Sequence, residues 1–318
     1  MIESSLARLQ LKTDTFSVEV LPALGGKVAS MRKNGVELLQ QPLLPYAPRS
    51  LTTPFEDSDA SGFDECLPSV SACDINSPSG KISIPDHGEF WRLSHESNSS
   101  SDREIHLEAT GSVLPLRFKR RLRLVADSGR HHPEALHIDY QLENVGRAQI
   151  HYAWSAHPLF AVEPGDCIHL PPTVTVVKVE NSAHTRLGVP GGVHPWPFAQ
   201  LSTGELTKLN RVGNETDNVG DKLYLAAPVD GWCAIERRKA GLRVRVEFDP
   251  KLTPWLGLWL CYGGWPENRP LRQYCVALEP CTSPVDSLST AMATGQARTL
   301  APGQCDLWWM RIVTTVVS

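Results

Sequence analysis

Two apolar, strand-like segments of this chain each end in an ionisable side chain that is followed by proline. HYAWSAHPLF (151–160) contains His157, and YCVALEP (274–280) contains Glu279. Because side chains alternate between the two faces of a strand, each of these groups shares its face with small or polar residues. These neighbours are Ser155, Ala153 and His151 beside His157, and Ala277 and Cys275 beside Glu279. We therefore expect both groups to project from a face that has room for a ligand.

Imidazole and carboxylate groups are common partners in general acid–base catalysis. A proline after each group keeps the preceding backbone out of the helical region and holds it extended. Rigid strand ends of this kind can hold an acid and a base at fixed positions around a substrate. His157 and Glu279 are therefore candidate catalytic residues.

A third segment, IPDHGEFWRL (84–93), combines a turn with aromatic residues. Gly88 permits close approach of the backbone, and His87 precedes it directly. Trp91 offers a flat apolar face on which a sugar ring could stack. The acidic loop GFDECLPSV (62–70), with Asp64 and Glu65, lies upstream of this segment.

Strand signals dominate the elements that must position these residues. Alternating or apolar runs occur at 16–22, 27–40, 89–97, 103–112, 116–126, 135–146, 149–160, 173–180, 222–227, 232–238, 242–249, 255–264, 274–280 and 305–317. Helix signals are weak and are confined to the regions near 48–60 and 285–293. The 25 prolines discourage helix, and no linker or change of composition divides the chain. We expect a single all-β domain spanning residues 1–318, a large antiparallel β-sandwich of two packed sheets.

The composition excludes several classes of function. The formal charge of −4 favours neither nucleic acid nor an anionic membrane as a partner. The sequence shows no secretory signal and no apolar run long enough to cross a bilayer, so we expect a cytoplasmic protein.

The eight cysteines form no C-x-x-C pair, and we interpret them as small buried residues rather than a disulfide framework. The His131–His132 pair lies in a polar turn and is expected to be solvated.

The ordered set PDHGEFW, HYAWSAHPLF, DKLYL and VALEPCTSP resembles the galactose mutarotase-like (aldose 1-epimerase) superfamily. The resemblance covers nearly the whole chain, from GGKVASMRKNGVELL (25–39) to LAPGQCDLWWMRIV (300–313). It implies a β-supersandwich that uses no metal and no organic cofactor. It also implies an isomerase that interconverts the anomers of an aldose, with a small-molecule sugar as partner. The sequence leaves open whether the protein is a monomer or a homodimer.

The resemblance also implies roles for individual residues. The acid that protonates the ring oxygen corresponds to His157, and the base for the anomeric hydroxyl corresponds to Glu279. The substrate-binding histidine corresponds to His87. A substrate-binding aspartate corresponds to Asp221, with Asp217 as a nearby alternative. Many family members carry an arginine before the His-Gly motif, but the matching stretch, GFDECLPSVSACD (62–74), has none, so the sequence indicates a divergent subfamily.

Three alternatives remain open on the sequence. The first is an epimerase of a sugar phosphate or another modified sugar, for which Arg92, Arg117 and Lys119 are available cations. The second is a carbohydrate-binding protein that has lost turnover. The third is a glycoside hydrolase, which would need two carboxylates beside the scissile bond, such as Asp64 or Glu65 with Glu279.

Overall fold

The computed structural model describes residues 6–77, 80–98, 101–126 and 134–317. These residues form 25 strands, one short α-helix and two 3₁₀ turns. In chain order the strands are β1 (Leu9–Lys12), β2 (Phe16–Leu21), β3 (Lys27–Lys33), β4 (Val36–Glu37), β5 (Phe63–Cys66), β6 (Cys73–Ser77), β7 (Gly80–Ile84), β8 (Glu96–Ser97), β9 (Glu104–Thr110), β10 (Leu116–Ala126), β11 (Glu134–Asn144), β12 (Ile150–Tyr152), β13 (Ser155–Ala161), β14 (Cys167–His169), β15 (Val176–Ser182), β16 (Val193–Pro195), β17 (Phe198–Gln200), β18 (Leu206–Lys208), β19 (Val219–Ala226), β20 (Trp232–Arg237), β21 (Leu242–Phe248), β22 (Trp255–Tyr262), β23 (Tyr274–Cys281), β24 (Arg298–Leu300) and β25 (Cys305–Val316). The helix α1 spans Leu288–Ala293, and the 3₁₀ turns span Phe55–Asp57 and Ala183–Thr185.

Two large antiparallel sheets carry most of these strands. The first sheet has 11 strands in the order β1-β2-β3-β5-β13-β23-β22-β19-β15-β16, with β4 paired to β3. The second has eight strands in the order β14-β20-β21-β25-β11-β10-β9-β8. The predicted all-β antiparallel sandwich is therefore confirmed. Strands β13, β23, β22 and β19, which are neighbours at the centre of the first sheet, carry the residues of interest.

Alternation of apolar and polar residues decides which strand face is buried. In β21, Leu242, Val244, Val246 and Phe248 are buried, and the residues between them are half-exposed. Aromatic rings pack against one another in the core. The ring centroids of Tyr140 and Trp308 are stacked 5.1 Å apart, and those of Trp154 and Trp308 lie edge-on 5.0 Å apart. Aromatic pairs in these geometries stabilise a core beyond the area that they bury.

Several local predictions differ from the structure. The segment 89–97 was expected to be a strand, but only Glu96–Ser97 is one, because Gly88 and residues 89–93 form consecutive turns. The weak helix signal near 285–293 corresponds to α1, whereas that near 48–60 corresponds only to the turn Phe55–Asp57. All eight cysteines are free, and six of them are buried. The His131–His132 pair lies outside the described residues.

No α-helix within the described ranges is both long and apolar enough to cross a membrane.

Candidate active site

A pocket of about 150 Å³ opens beside the central strands of the first sheet. It is lined by Phe55, Val70, His87, His157, Asn181, Lys222, Trp259, Trp265, Gln273 and Asp286. The sheet contributes His157 from β13, Trp259 from β22 and Lys222 from β19. Asn181 comes from β15 of the same sheet, and Gln273 directly precedes β23. Loops and turns outside the sheet contribute the other lining residues. The pocket therefore combines rigid strand residues with loop residues.

His157, which lines this pocket, contacts the buried Glu279. The Nδ1 atom of His157 lies 3.1 Å from Oε1 of Glu279, although the two residues are 122 positions apart in the chain. Ser155, on the same face of β13 as His157, has its Oγ 3.3 Å from Oε2 of Glu279. Because a carboxylate only accepts hydrogen bonds, His157 donates through Nδ1, and this orients its Nε2 atom. The imidazole and the carboxylate, far apart in the chain, therefore come together from neighbouring strands. They contact each other rather than facing one another across the pocket, because Glu279 lies behind His157 and does not line the pocket.

Lys222 is a third ionisable member of this group that the sequence did not indicate. Its Nζ forms an ion pair with Oε2 of Glu279 and lies 4.0 Å from Oδ1 of Asp286. The Glu279 side chain is fully buried, whereas those of His157 and Lys222 are each 7% exposed. The carboxylate consequently lies behind the imidazole and the ammonium group, and these two groups line the pocket.

A glycine between the strands makes the Lys222–Glu279 contact possible. Strand β22 separates β19 from β23, and Gly257 is the β22 residue paired with both Glu279 and Tyr224. A Cβ atom at Gly257 would lie 3.0 Å from Oε2 of Glu279, closer than ordinary packing allows. The missing side chain leaves the space in which two side chains meet across an intervening strand.

The charges in this group control one another's protonation. Burial alone would raise the pKa of Glu279, but Lys222 and His157 together lower it to about 2. Burial lowers the pKa of His157 below its usual value, and the attraction of Glu279 only partly opposes this effect. Burial would also lower the pKa of Lys222, but Glu279 and Asp286 raise it above its ordinary value. Glu279 is therefore a carboxylate and Lys222 an ammonium ion at neutral pH.

His87 lies beside the catalytic candidates in a strained turn. Its φ of 56° is followed by a φ of 70° at Gly88, where a Cβ would lie 2.0 Å from the carbonyl oxygen of Leu67. The His87 ring is stacked on Phe55 at 4.2 Å, and its centroid is 5.4 Å from that of His157. The predicted His-Gly turn thus brings a second imidazole to the pocket.

The Asp86 carboxylate connects His87 to the loop that carries Phe55. Its Oδ1 lies 2.9 Å from Nδ1 of His87, and its Oδ2 accepts a hydrogen bond from the Phe55 backbone N–H. Burial would raise the pKa of Asp86, but the hydrogen bond and charge of His87, the Phe55 N–H and the charge of Arg92 together lower it to about 2. The carboxylate therefore holds the Phe55 loop and His87 together at the mouth of the pocket.

Trp91 does not line the pocket, in contrast to the expectation of a sugar-stacking platform. Its side chain is fully buried, and its Nε1 donates to the Asp86 carbonyl oxygen. The guanidinium groups of Arg49 and Arg92 lie 4.5 and 4.3 Å from its ring centroid. Both ring faces are therefore covered, because the turn at 89–93 directs Trp91 inward.

Asp221 faces away from the pocket, so its expected role in substrate binding does not fit the geometry. It is fully buried, bonded to Ser182 at 2.7 Å and paired with Arg186 at 2.8 Å. In β19 alternate side chains point to opposite faces, and the pocket-facing position belongs to Lys222. The alternative, Asp217, accepts hydrogen bonds from Asn214 in a loop away from this pocket. Within DKLYL, Lys222 rather than Asp221 lines the pocket.

Two tryptophans that the sequence analysis did not single out supply the aromatic walls. Trp259 and Trp265 lie edge-on at 6.3 Å, and the ring of Trp265 lies 6.1 Å from Phe55. Alternation in WLGLWLCY places Trp259 on the same face as Gly257, which is the signal that could have identified it. Gln273 accepts a hydrogen bond from Trp259 Nε1 at 2.9 Å and fixes that wall.

In the parts of the chain that the structure describes, no three His, Cys, Asp or Glu side chains converge as a metal ion requires.

Comparisons with known structures agree with this architecture. A candidate aldose 1-epimerase from Escherichia coli K12 is 16% identical, with a TM-score of 0.71 and coverage of 98% of this chain and 100% of that one. A galactose mutarotase related enzyme from Lactobacillus acidophilus is 13% identical, with a TM-score of 0.67 and coverage of 98% and 99%. A galactose mutarotase-like protein from Clostridium acetobutylicum is 15% identical, with a TM-score of 0.65 and coverage of 100% and 97%.

No protein-family model matches the sequence, and no curated protein is significantly similar to it. Because the structural neighbours share so little sequence, the likeness establishes the fold: this chain has the galactose mutarotase-like β-sandwich.

Proposed function

We propose that this protein is an aldose 1-epimerase, which interconverts the α and β anomers of an aldohexose or a related sugar. His157 is the general acid and Glu279 the general base. The observation that carries the proposal is the 3.1 Å contact between these two groups, with His157 lining a pocket and Glu279 buried directly behind it.

The reaction needs one acid and one base acting on a single sugar. His157 protonates the ring oxygen while Glu279 takes the proton of the anomeric hydroxyl. The bond between C1 and the ring oxygen breaks, and C1 becomes an aldehyde. Rotation about the C1–C2 bond and reclosure on the other face give the second anomer. The same two groups act in reverse during reclosure, so the protein regains its starting protonation state.

The pocket walls support a sugar as the ligand. Trp259, Trp265 and Phe55 offer apolar surface for the C–H faces of a pyranose ring. Asn181 and Asp286 offer polar atoms for its hydroxyl groups, and His87 adds an imidazole beside His157. Apolar surface with a few polar groups is the usual composition of a small-molecule site.

Charge counts against a sugar phosphate as substrate. Among the residues that the structure describes, Lys222 is the only lysine or arginine that lines the pocket, and Glu279 and Asp286 already balance its charge. Arg92 is bonded to backbone oxygens beneath Trp91. Arg117 and Lys119 pair with Glu108 on the second sheet, away from the pocket.

The hydrolase alternative lacks a second available carboxylate from the 62–70 segment. Asp64 is buried and paired with Lys27 and Arg49. Glu65 is buried in the core, where it accepts hydrogen bonds from Arg120, Tyr140 and Trp154. Neither carboxylate lines the pocket with His157.

Polarimetry on a panel of freshly dissolved aldoses tests the proposal. The wild-type protein should accelerate mutarotation of at least one sugar, and Glu279→Gln and His157→Asn should each reduce kcat roughly 10²–10⁴-fold. His106→Asn, on the outer face of the second sheet, is the matched control and should retain full activity. Circular dichroism establishes that each variant is folded.

Saturable sugar binding without faster anomer exchange would show a binding protein instead, and release of reducing sugar from a glycoside would show a hydrolase. Full activity in both folded site variants would refute the assignment of His157 and Glu279.

A further inference from the structure

Glu279 has no open path to a ligand in the pocket. Its side chain is fully buried, and both carboxylate oxygens are in contact with other side chains. Oε1 faces Nδ1 of His157, and Oε2 faces Nζ of Lys222 and Oγ of Ser155. A sugar in the pocket therefore meets Lys222 or His157 before it meets the carboxylate.

Lys222 is positioned to bridge this gap. It lines the pocket, and its Nζ is the pocket-side neighbour of Oε2 of Glu279. His157 occupies the other oxygen and has its own task at the ring oxygen. Among the described residues, Lys222 both contacts Oε2 of Glu279 and lines the pocket. Its ammonium group carries protons that can exchange with a ligand.

Building on the proposed function, we propose that Lys222 is a further catalytic residue, whose amine contacts the anomeric oxygen and relays its proton to Glu279. In ring opening, one N–H proton of Lys222 moves to Oε2 of Glu279 as the anomeric O–H proton moves to Nζ. His157 gives its proton to the ring oxygen, the C1–O bond of the ring breaks, and the C1=O bond forms. Lys222 ends the step as an ammonium ion, Glu279 is protonated and His157 is neutral.

A proton relay through Lys222 differs from purely electrostatic support of Glu279. The substitution Lys222→Arg distinguishes these two roles. A guanidinium ion retains the positive charge and the ion pair with Glu279, but it does not release a proton in proteins. Lys222→Arg should therefore preserve the charge balance of the buried group while blocking the relay. Lys222→Met removes both properties.

The test measures kcat and KM for mutarotation in wild type, Lys222→Arg, Lys222→Met and the matched control Lys178→Arg. Lys178 is an exposed lysine on the neighbouring strand β15, and its variant should match wild type. We expect Lys222→Arg and Lys222→Met each to lose at least about 100-fold in kcat, with KM changed far less. Combining Lys222→Met with Glu279→Gln should cost no more than the larger single loss, because the two residues act as a unit.

If Lys222→Met fails to fold, Lys222→Arg and the charge-free double variant still decide the question. A folded Lys222→Arg variant with kcat within about threefold of wild type would overturn the relay. Losses that multiply in the double variant would also overturn it. Absence of mutarotation in the wild-type protein, by contrast, would count against the proposed function itself.

Discussion

Glu279→Gln is the substitution whose effect on stability follows most directly from the structure. The carboxylate is fully buried and balances the ammonium group of Lys222, which is itself almost completely buried. Glutamine keeps the shape of the side chain but removes its charge. The variant therefore leaves Lys222 with the more distant Asp286, 4.0 Å away, as its counter-charge.

The magnitude follows from the pKa of Glu279. The difference between its ordinary value of 4.5 and about 2 in the folded protein is worth about 3 kcal/mol, at about 1.36 kcal/mol per pKa unit. Breaking a buried ion pair by removing one partner typically costs about 3–5 kcal/mol. Both arguments predict that Glu279→Gln lowers the free energy of unfolding at pH 7 by about 3 kcal/mol or more.

The sign of the pH dependence is also defined. A carboxyl group whose pKa is lowered by folding stabilises the protein above its unfolded pKa, and this contribution is lost as the pH falls through the folded pKa. The stability difference between wild type and Glu279→Gln should therefore be largest above pH 5 and shrink as the pH falls from about 4.5 towards 2. Urea unfolding followed by tryptophan fluorescence at several pH values measures this difference.

A double-mutant cycle completes the experiment. Lys222→Met together with Glu279→Gln removes both charges, so the pair should be more stable than the sum of the single effects predicts, by about 2–3 kcal/mol. Glu205→Gln, at an exposed position, is the control and should change stability by less than about 0.5 kcal/mol. A Glu279→Gln variant as stable as wild type, or a stability loss that does not vary with pH, would refute the reasoning.

Two further predictions concern the pocket. Gly88→Ala should lower the free energy of unfolding by at least about 2 kcal/mol, because its φ is positive and its Cβ would overlap the Leu67 carbonyl; calorimetry measures the fall in Tm, and an unchanged Tm would contradict the close approach. The second prediction concerns pH. Protonated His157 is the proposed acid, and burial lowers the pKa of His157. The value of kcat/KM for mutarotation should therefore fall as the pH rises from 5 to 8. Because Glu279 stays ionised down to about pH 2, no opposing limb should appear above pH 4, and a polarimetric rate that increases with pH would contradict these roles.

Much of the sheet architecture could be predicted because the alternation of apolar and polar residues that marks a strand is a local sequence pattern. In β21 and β10, apolar and polar residues alternate, and the observed strands match the predicted ranges closely. The segment 89–93 could not be predicted in this way. Its apolar residues suggested a strand, but the turn at His87–Gly88 and the approach to Leu67 give it a different backbone.

The candidate site was predictable only in part. His157 and Glu279 were identified because each polar residue closes an apolar run before a proline, and their contact agrees with that expectation. The family resemblance indicated Asp221, with Asp217 as the alternative. Strand register, which the resemblance does not reveal, places Lys222 on the face that lines the pocket.

By itself, the sequence determined that the chain forms antiparallel strands with one buried face, and it identified the two strands whose apolar runs end in His157 and Glu279. These properties depend on neighbouring residues, whose periodicity is visible in one dimension. Only the tertiary structure decided that Lys222 reaches Glu279 across Gly257, that Trp91 is buried and that Trp259 and Trp265 line the pocket. Those contacts join residues from different strands and loops, and they depend on the order and register of the sheet.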